Sequence, residues 1–126
     1  MNVKIDTKEI FYVISIMDSE LTANMSATLL ALIAKKQEDE PKSVILNFEK
    51  VQQIEKDFAS ELNNLKENLY AKNKSFVICN LCENVKQNLS SWGILETVNH
   101  TPTESEAWDI VQMEEIEREL GMDFPE

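Results

Sequence analysis

The chain has 126 residues, 43% hydrophobic and 28% charged, the make-up of one globular domain and too apolar for a disordered chain. Its 23 acidic against 12 basic side chains leave a formal charge of −11. Lysine and arginine are scattered with no basic patch, so nucleic acid and anionic membranes are excluded as leading partners.

Residues 10–16, Ile10-Phe11-Tyr12-Val13-Ile14-Ser15-Ile16, are β-branched and aromatic and are expected as a central strand. Val3 and Ile5 suit a short edge strand joined to it through residues 6–9. Thr22 is the expected N-cap of a first helix, because Met25, Leu29, Leu32 and Ile33 follow as an amphipathic stripe to about Lys36. Residues 37–42, charged and containing Pro41, are expected as a solvated loop. Residues 43–48 form the second strong strand, and Phe58, Leu62, Leu65 and Leu69 share one face of a second helix. Residues 75–79 are the next strand. Val85, Leu89 and Trp92 mark a third helix, which Gly93 is placed to stop. Residues 94–99 are expected as a short last strand. Thr103 and Glu106 make a capping-box pattern that opens a final helix ending near Gly121.

The order β-β-α-β-α-β-α-β-α implies a single α/β domain with about four helices and a mixed, mostly parallel sheet of four to five strands. Right-handed crossovers then bring the strand-to-helix loops 17–21, 49–57 and 80–84 to one end of the sheet, where the site is expected. The first six residues lack the basic flank and apolar run of a signal peptide. The longest apolar runs, about eight residues, fall short of the ~20 that cross a bilayer. A cytoplasmic protein with reduced cysteines is expected. Glycans at Asn24, Asn73, Asn88 and Asn99, each in an Asn-x-Ser/Thr triplet, are then not expected.

Cys79-Asn80-Leu81-Cys82 is a CxxC, but Cys79 alternates with Val77 toward the core and no second CxxC exists. Packing is favoured over redox or metal chemistry. His100 stands before Pro102 in an expected exposed turn, with no partner that would make it a base. Trp92 and Trp108 lie among apolar neighbours and suit packing. With no Gly-rich phosphate loop, no enzymatic activity, cofactor or metal site is expected.

The run Val44-Ile45-Leu46-Asn47-Phe48-Glu49-Lys50-Val51-Gln52-Gln53-Ile54-Glu55-Lys56-Asp57 resembles the middle of the STAS domain. That domain occurs in bacterial anti-sigma factor antagonists and at the cytosolic end of sulfate transporters. Its pattern there is a strand, a V-x-x-I segment, then Asp-Ser-Ser-Gly opening a helix. Phe76-Val77-Ile78-Cys79-Asn80-Leu81, followed by Val85, Leu89 and Trp92-Gly93-Ile94, is similar to the family's next segment. Ser19-Glu20-Leu21-Thr22-Ala23-Asn24 is similar to the turn before its first helix. The resemblance covers about residues 3–112.

In antagonists of that family a kinase phosphorylates the second serine of Asp-Ser-Ser-Gly, which switches binding off. Matching Val51 and Ile54 to the pattern puts Glu55 at its Asp, Lys56 and Asp57 at the serines, and Phe58 at the glycine. Asp57 is thus the phosphoacceptor equivalent. It is either an N-terminal cap of the following helix or a fixed negative charge in place of a phosphate. The resemblance implies a protein-interaction module in signal transduction and transcription regulation. Its partner would be a regulatory protein of the anti-sigma factor or switch-kinase type. The implied partner-binding residues are Ser19, Asn24, Glu55, Lys56, Asp57, Phe58 and Ser60. The alternative is a small-ligand or nucleotide-binding sensor using the same end of the sheet.

In the final helix, Ala107, Ile110 and Val111 suit packing on the sheet. Met113, Ile116 and Leu120 form a second stripe rotated by roughly 120°. One straight helix cannot point both stripes at the same core. Residues 113–126, with Met122 and Phe124 continuing the apolar character, are therefore expected as a helical extension and tail of a domain formed by residues 1–112. Its Met113, Ile116 and Leu120 seam is expected to contact a partner or a second copy in a homodimer.

Overall fold

A computed structural model describes residues 1–121. In chain order it has β1 (Val3–Thr7), β2 (Phe11–Ile16), β3 (Glu20–Leu21), α1 (Met25–Asp39), β4 (Ser43–Asn47) and β5 (Gln53–Ile54). Then follow α2 (Lys56–Ala71), β6 (Phe76–Cys79), α3 (Glu83–Ser91), a 3-10 turn (Ile94–Glu96), β7 (Asn99–Thr101) and α4 (Glu104–Glu119). The main sheet has the order β1-β2-β4-β6-β7, with β1 antiparallel and the other neighbours parallel. This is the mixed α/β sheet that the alternation of strands and helices implies.

Strand alternation divides the core. Tyr12, Ile14, Ile16, Val44, Leu46, Phe76 and Ile78 meet the buried faces of α1, α2 and α3. Phe11, Val13, Ile45, Val77 and Cys79 face the other way, against Ala107 and Val111 of α4. Helices on both faces explain why β4 and β6 are buried at every position. The second-helix stripe is as expected: Phe58, Leu62, Leu65 and Leu69 are all buried.

Three boundaries differ from expectation. Asn24, not Thr22, occupies the N-cap of α1; the Thr22 hydroxyl instead donates to Asn24 Oδ1 at 2.6 Å. The helix then runs through Asp39, so most of the expected 37–42 loop is helical or buried. Gln37 brackets Lys42 through two hydrogen bonds of 2.8 and 3.0 Å, and the Lys42 ammonium reaches the Lys8 carbonyl beside the Tyr12 ring. After α3, Gly93 adopts φ +77° and ends the helix as expected, but the chain enters the 3-10 turn before β7 begins at Asn99. His100 consequently lies in a strand, half-buried, rather than in an exposed turn.

The Thr103 hydroxyl accepts the Glu106 N–H at 3.3 Å and opens α4 as the capping box predicts. This helix passes position 112 without interruption. Its second half is held to the body by polar contacts. Ser75 and Tyr70 donate to Glu114 at 2.5 and 3.0 Å, and Arg118 donates to Ser75 at 2.9 Å. Burial, reinforced by the Glu114 charge, pushes the Tyr70 hydroxyl up to about 12. Met113, Ile116 and Leu120 are exposed on the other side. Met122 and Phe124 lie outside the described residues.

Candidate functional site

The three loops named from sequence meet at one end of the sheet. β3 and β5 pair in parallel, Glu20 with Gln53 and Leu21 with Ile54, and join loop 17–21 to loop 49–57. The Ser19 carbonyl strengthens this seam by accepting the N–H groups of Gln52 and Gln53 at 2.7 and 3.1 Å. The third loop is tied in by Asn84, which donates to the Gln52 carbonyl at 2.9 Å. Val51 and Ile54 are buried between these contacts, fixing the turn to the core.

The start of α2 is built on this platform. Glu55 is extended and holds the N-cap position, and its N–H donates to the Leu21 carbonyl at 2.9 Å. Its carboxylate does not cap α2. It turns away and accepts the Ala23 N–H at 2.6 Å, coupling the beginnings of α1 and α2. Of the two readings of Asp57, the N-cap one is not met: Glu55 holds that position, and Asp57 lies in the first turn, one residue inside the helix, and is exposed. A carboxylate there gains about 0.3–1 kcal/mol from the helix dipole.

Ser19, Asn24, Glu55, Lys56, Asp57 and Ser60 are all exposed. The first five share the joined loops and helix starts, and Ser60 lies one turn along α2, its hydroxyl donating to the Lys56 carbonyl at 3.0 Å. Phe58 leaves this group. It is 1% exposed and packs in the main core, because the first turn of α2 points that position at the sheet. Its side chain fills the volume that a glycine would leave open and offers no contact to a partner. Sequence reasoning missed Ala23 and Gln52, which act through backbone N–H and C=O groups and so carry no side-chain signal.

The CxxC is split by its environment. Cys79 is fully buried, and burial, followed by the charges of Glu104 and Glu49, pushes its thiol up to about 12. Such a thiol stays protonated at neutral pH and is a poor nucleophile. Cys82 holds the N-cap position of α3, half-buried, with its sulfur 3.8 Å from the Gln52 carbonyl. Trp108 packs edge-to-face on Phe11 and donates to Glu104, which also accepts from Asn47 at 3.1 Å. Among the described residues no group of three or more His, Cys, Asp or Glu is placed to hold a metal ion. No helix of these residues is long and apolar enough to cross a membrane. A cavity of about 150 Å³ at this end of the sheet is lined by Lys4, Ser15, Asn47, Glu49 and Lys50 among others.

Solved structures with the same arrangement of strands and helices are similar to this chain along its length. SpoIIAA, an anti-sigma factor antagonist in its unphosphorylated form, matches with a TM-score of 0.73 at 18% identity, over 88% of this chain and 96% of that one. A STAS domain protein of Planctomyces limnophilus gives 0.74 at 18% identity, over 87% and 97% of the two chains. A candidate anti-sigma factor antagonist of Thermotoga maritima gives 0.75 at 16% identity, over 87% and 94%. Identities this low establish the shared fold. No curated protein matches the sequence significantly. The STAS domain family model matches residues 3–107, most of the chain and every strand of the sheet. The chain belongs to the STAS domain family.

Proposed function

We propose that this chain is a non-enzymatic protein-interaction module that docks a regulatory protein through the turn and helix start at residues 49–60. The partner is of the anti-sigma factor or switch-kinase type, a reading supported by the fold the chain shares with anti-sigma factor antagonists. The observation that carries the reading is the coupling of three loops into one exposed polar surface through β3–β5 and the Glu55–Ala23 contact. Backbone pairing fixes this surface before any partner arrives, which lowers the ordering cost of association. The nearby cavity is smaller than the ~300–1,000 Å³ of ordinary ligand sites, which supports surface docking over a small-ligand or nucleotide sensor.

Asp57 takes the place of the phosphorylatable serine and gives the surface a fixed negative charge. One unit of charge against nearly two for a phosphoserine makes it a partial mimic. The interaction is therefore set by the sequence, not by a kinase acting at this position. Affinity capture from the native cytosol, comparing wild type with Asp57→Ala and with Asn68→Ala, an exposed position in the last turn of α2, tests the proposal. Loss of a protein captured by wild type and Asn68→Ala, but not by Asp57→Ala, is expected. Equal capture by all three would remove the turn from the interface.

A further inference from the structure

We propose that the outer face of α4 docks a basic amphipathic helix of a partner protein, on a surface separate from the 49–60 turn. The second half of α4 is inverted relative to an ordinary surface helix. Its polar Glu114 and Arg118 face the body and engage Tyr70 and Ser75. Its apolar Met113, Ile116 and Leu120 stand 61%, 53% and 67% exposed. At about 100° per residue these three share an arc of roughly 60°, the i, i+3, i+7 spacing of a helix-docking seam. Ile116 also walls a cavity of about 450 Å³ with Ile10, Phe11 and Trp108, between α4 and the turn joining β1 to β2. A partner helix laid on the seam finds a socket for one apolar side chain beside it.

Charge selects the occupant. Asp109 is exposed on the arc of the seam, Glu106 and Glu117 are exposed beside it, and Glu9 and Glu119 rim the cavity. Arg118, the one cation in α4, is turned inward onto Ser75, and Lys8 at the cavity lies over the Trp108 ring at 5.1 Å. A second copy would set this acid-studded face against itself, like charge against like. Three apolar side chains also supply little of the ~800 Å² per partner that a stable dimer buries. A helix with leucines on one face and lysines along its flanks complements both the apolar seam and the acidic side chains around it.

The test titrates the full-length protein, by calorimetry, with a synthetic helical peptide carrying leucine on one face and lysine on the other. A counterpart with glutamate in place of lysine is run beside it. Wild type is expected to bind the lysine peptide and not the glutamate one. Ile116→Ser and Leu120→Ser, exposed positions whose fold is checked by circular dichroism, should each weaken binding about tenfold or more, and Asn68→Ser should not. Equal affinity of wild type and Ile116→Ser, or equal affinity for the two peptides, would overturn the proposal. So would sedimentation showing a wild-type dimer that Ile116→Ser dissociates, which would assign the seam to a second copy.

Discussion

The Glu55 carboxylate accepts the Ala23 N–H at 2.6 Å, so the residue that opens α2 also holds the approach to α1. This contact joins segments 32 positions apart at an exposed site. Glu55→Ala is expected to cost about 1 kcal/mol, less than the ~1.5–3 kcal/mol of a buried charged hydrogen bond because water competes at this exposed site. The urea midpoint reports that loss, and amide exchange at Ala23 should quicken. Glu55→Gln keeps a neutral acceptor and should lose less. Unchanged exchange at Ala23 in Glu55→Ala would mean the contact holds nothing in place.

Phe58 separates stability from binding. Its ring is 1% exposed, so Phe58→Ala removes core volume and is expected to cost roughly 3–5 kcal/mol. Chemical denaturation measures this. Partner affinity of the fraction that remains folded should be close to wild type.

The chain is expected to carry no phosphate at the start of α2, since Lys56 and Asp57 offer no hydroxyl. Ser60 is the nearest alternative, but its hydroxyl is bonded to the Lys56 carbonyl one turn into the helix, away from the free N–H groups. Phosphopeptide mapping of protein from its native cells checks this. Stoichiometric phosphate on Ser60 would contradict it.

Alkaline pH should weaken the fold, with Cys79 and Tyr70 among the groups responsible. The Cys79 thiol titrates at its ordinary 9.0 when unfolded and is pushed up to about 12 when folded. The Tyr70 hydroxyl moves likewise from 10.0 to about 12. In both cases the folded state holds its proton more tightly, so the unfolded chain binds fewer protons as pH rises. Stability is complete below about pH 9 and falls through pH 12. Melting temperatures across this range should decline less for Cys79→Ala from pH 9 and less for Tyr70→Phe from pH 10. Alkylation at pH 8 should label Cys82 in the folded protein and reach Cys79 only on unfolding.

Elements with a repeating apolar pattern were readable from sequence: β2, β4, β6 and the buried stripes of α1, α2 and α3. β3 and β5 were not, because two residues cannot display a period, yet they sew the candidate site together. β7 is Asn-His-Thr at a sheet edge, so its membership rests on pairing with β6 and not on hydrophobicity. The loops of the site were foreseeable from crossover handedness. The role of Glu55 was not, since a carboxylate at an N-cap position is expected to serve its own helix, and here tertiary geometry gives it to Ala23.

Hydrogen exchange of the full chain, with and without the partner that wild type captures, tests the docking surface most directly. New protection is predicted over residues 17–24 and 52–60, the segments that β3–β5 and Glu55 hold together. Protection confined to other parts of the chain, with these two segments unchanged, would contradict the account.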